Sequence, residues 1–145
     1  MGILFRAAKP DDLAEIARLA GELGYPTQPS ELAPRLDRAL AARDGACIVA
    51  EASPGRLVGW VEAGVHRSLL CDPEEVIHGL VVDASERGTG IGAELMRLVE
   101  DWGRERGLTC VRLHSRDSRH VGHGFYEHLG YAREKTQILF HRRLE

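Results

Sequence analysis

A mixed α/β domain is the fold class that this sequence predicts, and three observations lead to it. The elements run strand, two helices, three strands, helix, strand, helix, strand, so strands gather early and a single strand-helix-strand unit comes late. Regular alternation, the mark of an all-parallel sheet, is absent. The length of 145 residues suits one domain, 1–145, able to bury a core without disulfides or metal. A composition of 43% hydrophobic and 28% charged residues is that of a soluble globular chain.

Each element has its own signal. Ile3 to Ala7 alternates as a short strand, and Pro10 with Asp11 and Asp12 opens a helix, proline suiting the first turn and acids its positive end. Leu13, Ile16, Ala17, Ala20 and Leu23 recur at helical spacing, and Gly24-Tyr25-Pro26 stops them. A second helix is expected from Ser30, capped by its hydroxyl, with Leu32, Leu36, Ala39 and Leu40 on one side, ending before Asp44-Gly45. Ala46 to Ala52 and Leu57 to His66 form a hairpin about Pro54-Gly55. The segment Arg67 to Glu74 reads as a polar loop, and Val76 to Val82 as the fourth strand. The next helix carries Ile91, Leu95, Leu98, Val99 and Trp102 on its stripe. A strand through Thr109, Val111 and Leu113, a short helix near Val121 to Leu129 and an extended stretch from Tyr131 to Arg142 complete the chain.

The bulk numbers narrow the partners. A net charge of -3 gives no electrostatic case for nucleic acid or an anionic membrane. No apolar run approaches the ~20 residues that span a bilayer, and Arg6 and Lys9 interrupt any secretory pattern. The three cysteines, Cys47, Cys71 and Cys110, form no Cys-x-x-Cys pair, which points to a reducing compartment and a cytoplasmic location.

The chemistry is concentrated after the fourth strand, at Arg87-Gly88-Thr89-Gly90-Ile91-Gly92. Glycines clear the backbone where it must approach a ligand, and a helix start aims unpaired amides at the same place. This is a phosphate cradle. A mononucleotide loop needs Lys-Ser/Thr after its last glycine, whereas Gly92 is followed by Ala93 and Glu94. A dinucleotide fingerprint needs Gly-x-Gly-x-x-Gly, whereas the spacing is Gly88-x-Gly90-x-Gly92. What remains, Arg87-x-x-Gly90-x-Gly92, resembles the acetyl-CoA pyrophosphate loop of the GNAT N-acetyltransferase superfamily.

A second segment carries the same resemblance. Arg119 to Tyr131, with His123 and Phe125-Tyr126-Glu127-His128-Leu129-Gly130, is similar to the late GNAT motif, with glycines at Gly122 and Gly124 as departures. The resemblance implies a single-domain GNAT fold, a twisted and mostly antiparallel mixed sheet of six to seven strands flanked by about four helices. It implies acetyl-CoA as cosubstrate, no metal, and a transfer in which Tyr126 protonates the departing thiolate. A phenol of reference pKa ~10 can donate that proton at neutral pH. Arg119, His123 and Phe125 are carried over as cofactor contacts, and so is the strand of Leu80, Val81 and Val82, whose backbone would hold the pantetheine arm. An amide near Leu80 would polarise the thioester carbonyl.

Deprotonation of the attacking amine is expected from His78 or Glu75, at or near the start of that strand, with Glu62 a third candidate and a water chain an alternative. Tyr25 and Gln28 in the first interhelical loop, with Glu62, are expected to meet the acceptor. His114, His120, His123 and His128 lack the partners of a zinc set. The expected activity is acetyl transfer to a small primary amine by direct attack. A peptide or protein amine, and a non-catalytic acyl-CoA sensor, are the alternatives, and a homodimer is an expected assembly.

Overall fold

A computed structural model describes residues 2–145. The chain divides into two compact units, Met1–Leu113 and His114–Glu145. The first contains β1 (Leu4–Ala7), a 3-10 turn (Pro10–Asp12), α1 (Leu13–Leu23), α2 (Pro29–Ala41), β2 (Gly45–Ser53), β3 (Arg56–Ser68), β4 (Cys71–Val82), a 3-10 turn (Ala84–Glu86), α3 (Ile91–Glu105) and β5 (Val111–Leu113). The second contains α4 (His120–His128). No helix among the described residues is long and apolar enough to cross a membrane.

The sheet has the order β1-β2-β3-β4-β5. Neighbours pair antiparallel from β1 to β4, and β5 joins β4 in parallel. The mixed class and the four helices therefore stand, while the expected six to seven strands become five. The missing strand is the stretch from Tyr131 to Arg142. It forms no ladder among the described residues, and Ile138, Leu139 and Phe140 are exposed. A strand is completed only by a neighbour that takes its backbone bonds. The opposite correction applies to Arg67–Glu74, where β3 and β4 continue as a hairpin with Ser68 opposite Cys71. Its polar side chains hid the strand. Glu74 is buried and accepts a 2.8 Å hydrogen bond from Arg112 Nε of β5, which removes the penalty of burying it.

Local chemistry fixes the helix starts. Asp12 does more than favour a helix dipole, because its carboxylate accepts from both Arg6 terminal nitrogens at 2.8 and 2.9 Å and from the Lys9 amide at 2.9 Å. Helix α2 begins at Pro29 and not with a Ser30 cap, since the proline fits the first turn and Glu31 accepts from the Gln28 amide at 3.2 Å.

Two layers of helix cover the sheet. Ile16 and Leu19 of α1 and Leu36 of α2 pack with Val49, Leu57 and Val81 on one face. Leu95, Met96 and Val99 of α3 are buried on the other, where Gly59 leaves the helix room: a Cβ there would lie 3.2 Å from Leu95 and 3.4 Å from Ile91. Each such large side chain contributes roughly 2 kcal/mol of burial. The next residue along β3, Trp60, points to the α1 face and donates from Nε1 to the Ile16 carbonyl at 3.3 Å.

Candidate active site

Strand β4 positions most of the candidate residues. Its ladder to β5 covers only Glu75 to Ile77, so from His78 to Val82 the β5 side of the strand is open. The Asp83 amide donates to Val58 of β3 at 2.8 Å, and alternation along an antiparallel strand then turns the N–H and C=O of Leu80 and Val82 toward that open side. Val81, between them, points its backbone at β3 and its side chain into the core. On that side the Leu80 N–H and C=O and the Val82 N–H have no strand partner among the described residues.

The loop beyond β4 is held at its root and open at its tip. Asp83 accepts from the Ser85 amide at 3.0 Å, from the Ser85 hydroxyl at 2.8 Å and from Arg18 Nη1 of α1 at 2.9 Å. These bonds, led by those from Ser85, hold its carboxyl down at about 2, so it is ionised at any working pH. Arg87 donates from Nε to the Val82 carbonyl at 3.3 Å, and Thr89 donates its hydroxyl to Glu86. Gly88 and Gly90 have φ of 83° and 90°, a left-handed conformation that side chains disfavour. Gly90 is the N-cap of α3, and the first-turn amides of Ile91, Gly92 and Ala93 have no partner within the helix. Gly92 is buried while Arg87 to Gly90 are exposed, so a phosphate-sized ligand has backbone donors and one guanidinium available together.

On the α1 and α2 side of the sheet a cavity of about 260 Å³ is lined by Tyr25, Thr27, Arg35, Cys47, Trp60, Glu62, His78 and Gly79, among others. A smaller one adjoins it and shares Glu62 and His78, with Asp44 and Gly64 in its wall. His78 owes its position to a β-bulge. Glu62 pairs with Gly79 and Ala63 with Ile77, which leaves His78 as the extra residue on β4 and re-aims its side chain. Two glycines make the space: a Cβ on Gly64 would stand 2.8 Å from His78 Nε2, and one on Gly79 would stand 3.0 Å from the Trp60 ring. Cys47 faces Glu62 across the β2–β3 pair. Burial first, and then the charges of Glu62 and Asp12, push its thiol up to about 12, so it stays a neutral thiol and no nucleophile.

Of the residues expected to act on the acceptor, Tyr25, Glu62 and His78 meet around one cavity. Gln28 stands outside its lining, at the N-cap of α2, and the neighbouring Thr27 lines it instead. Glu75 lies on the other face of the sheet, fully buried against Gly103 of α3, with neither carboxyl oxygen hydrogen-bonded. Sequence reading passed over Trp60 and Arg35. The signal for Arg35 was present: it falls with Leu32, Leu36 and Ala39 on the i, i+3, i+4, i+7 stripe of α2, where a charge is out of place.

The second unit carries the late motif. Helix α4 ends in a Schellman turn: Gly130, at φ 98°, donates to Glu127, and the Tyr131 amide donates to the Tyr126 carbonyl, each at 3.0 Å. The rings of Tyr126 and Tyr131 then meet edge to face at 6.0 Å, and Phe125 packs on Tyr126 at 5.1 Å. Burial raises the Tyr126 phenol above its ordinary pKa, against the opposing charge of Arg119, the N-cap residue of α4. His123 Nε2 lies 2.7 Å from the Arg116 carbonyl, which makes Nε2–H the donor, while buried Nδ1 has no partner. Among the described residues no group of three or more His, Cys, Asp or Glu is arranged to hold a metal ion.

Comparison with known proteins agrees with this fold. A family model described as "Acetyltransferase (GNAT) family" matches residues 11–131. An aminoglycoside N(6')-acetyltransferase type 1 of Stenotrophomonas maltophilia is 26% identical over 144 residues, covering 97% of this chain and 93% of that protein. A glucosamine 6-phosphate N-acetyltransferase 1 of Oryza sativa subsp. japonica is 30% identical over 142 residues, covering 90% and 83%. In fold, the aminoglycoside 6'-N-acetyltransferase AAC(6')-Ih of Acinetobacter baumannii aligns with a TM-score of 0.88 at 16% identity over 99% of this chain and all (100%) of that one. AAC(6')-Iy, solved with the bisubstrate analogue CoA-S-monomethyl-acetylneamine, aligns with a TM-score of 0.85 at 21% identity over 99% and 100%. The chain belongs to the GNAT acetyltransferase family and is an acetyl-CoA-dependent N-acetyltransferase.

Proposed function

We propose that the protein transfers the acetyl group of acetyl-CoA to a primary amine of a small molecule by direct attack on the thioester. The observation that carries this reading is the open edge of β4, which runs from the histidine of the cavity to the glycine cradle at the start of α3. A pyrophosphate on Arg87 to Gly92 and a pantetheine arm along Leu80, Val81 and Val82 would bring the thioester toward His78. The Leu80 amide would polarise the carbonyl as charge develops on its oxygen.

In the transfer the amine nitrogen bonds to the acetyl carbon and the carbon–sulfur bond breaks. The amine proton goes to His78, or to Glu62 beside it, and the thiolate takes a proton from Tyr126. With its phenol raised by burial, Tyr126 keeps its proton at neutral pH, as a donor to the thiolate must. Arg119, His123 and Phe125 would contribute contacts to the cofactor. Glu75, on the far face of β4, is not positioned to accept the amine proton. The protonated Cys47 supports direct attack over a thioester-linked enzyme intermediate. The cavity of about 260 Å³ has room for a small acceptor. A cytoplasmic location suits three cysteines that form no Cys-x-x-Cys pair.

The test is release of free CoA thiol across an amine panel, comparing wild type with Tyr126→Phe. Turnover by the wild type with kcat reduced on the order of 10²-fold in the variant is the expected result. Tight acetyl-CoA binding without turnover of any amine would instead favour a sensor.

A further inference from the structure

The cavity on the α1 and α2 side holds side chains of both signs that have no charged partner among the described residues. Glu62, on β3, makes no ion pair or side-chain hydrogen bond among the described residues, and neither does His78 or Arg35. Glu62 and Arg35 line the same cavity and do not pair with each other. Some arginines of this unit are held by carboxylates, Arg6 by Asp12 and Glu51, Arg18 by Glu15 and Asp83, and Arg112 by Glu74, while Arg35, unlike Arg38, Arg43 and Arg56, lines the cavity without one. Arg35 lies with Leu32, Leu36 and Ala39 on the side of α2 that lines the cavity, its side chain exposed there. Trp60 lines the same cavity, its indole tied to the Ile16 carbonyl and seated in the gap left by Gly79.

From this we infer that the acceptor is an amine that also bears an anionic group, a carboxylate or a phosphate, with its nitrogen at Glu62 and His78 and its anion on Arg35. The inference rests on the acetyl-transfer reading above and narrows it. A guanidinium offers a fork of donors that matches either oxyanion, and a charge-assisted bond at the cavity mouth fixes which nitrogen faces the thioester. A polycationic acceptor would satisfy Glu62 but set positive charge against Arg35. An anion-bearing amine satisfies both. Trp60 supplies a flat apolar wall for the carbon skeleton between them.

Thiol release from acetyl-CoA tests this with matched acceptors: α-amino acids against their amides, aminosugar phosphates against the unphosphorylated aminosugars, and polycationic aminoglycosides. One anionic class is expected to exceed its neutral partners by about 10-fold or more in kcat/KM, and which class does so separates carboxylate from phosphate. Arg35→Ala is expected to raise KM for that class about 10-fold, with kcat within about twofold and neutral amines unaffected, a loss of about 1.4 kcal/mol of binding. Arg35→Lys should recover part of it. Arg35 is exposed, so neither variant threatens the fold. Equal or better turnover of neutral or polycationic amines, or an Arg35→Ala effect shared by all acceptors, overturns the inference and leaves acetyl transfer standing. Binding of acetyl-CoA with no thiol release from any amine overturns both.

Discussion

Glu75 is a carboxyl in the core with no hydrogen-bond partner, and its consequences are for stability. Desolvation raises it to about 7, with Glu100 adding to the shift and Arg104 and Arg106 opposing it. In the folded protein it holds its proton up to that pH, whereas in the unfolded chain it releases it near 4.5. The folded state thus binds more protons between those values, so stability falls as pH rises from about 4.5 to about 7 and levels off above. The full effect is on the order of 3 kcal/mol. Denaturant titrations at pH 5 and pH 8 are expected to differ in that direction, and Glu75→Gln is expected to flatten the difference and to be the more stable protein at pH 8. A Glu75→Gln protein with the wild-type slope would refute the assignment. Tyr126 and His78 could be named as candidates because motif position singles them out. The bulge that turns His78 into the cavity, and the face on which Glu75 falls, were not legible, since a one-residue register shift leaves no mark in composition.

At the level of elements, helices and strands with strong periodicity were legible to within a few residues. Helix α3 and the β2–β3 hairpin are examples. Failures came where an element depends on a distant partner. The first half of β4 looked like a polar loop because Arg112, which satisfies Glu74, lies far along the chain. The stretch from Tyr131 to Arg142 looked like a strand and forms no ladder among the described residues. Exposed Ile138, Leu139 and Phe140 on an extended segment are a liability unless covered, and a second copy offers the same segment for pairing. Sedimentation velocity is expected to give a dimer for the full chain and a monomer for Ile138→Lys with Phe140→Asp. A full chain that remains monomeric at all concentrations would remove that role from the segment.

For the whole molecule, the sheet sets the division of labour. One face, under α1 and α2, bears the cavity with Glu62, His78 and Trp60, while the other, under α3, holds the core of Leu95, Met96 and Val99. The glycine cradle lies where β4 hands over to α3, tied to α1 through Asp83 and Arg18. That the chain binds CoA here is the central claim, and Gly90 is the residue on which it turns, since its φ of 90° strains any side chain in an exposed loop that the core does not need. Calorimetric titration of the wild type with acetyl-CoA should give saturable binding at one site per chain, with none for ATP or NAD. Gly90→Val, folded by circular dichroism, should bind at least about 10-fold more weakly, as roughly 1–3 kcal/mol of backbone strain displaces the cradle. No saturable binding of acetyl-CoA by the wild type, or equal affinity in Gly90→Val, would contradict it.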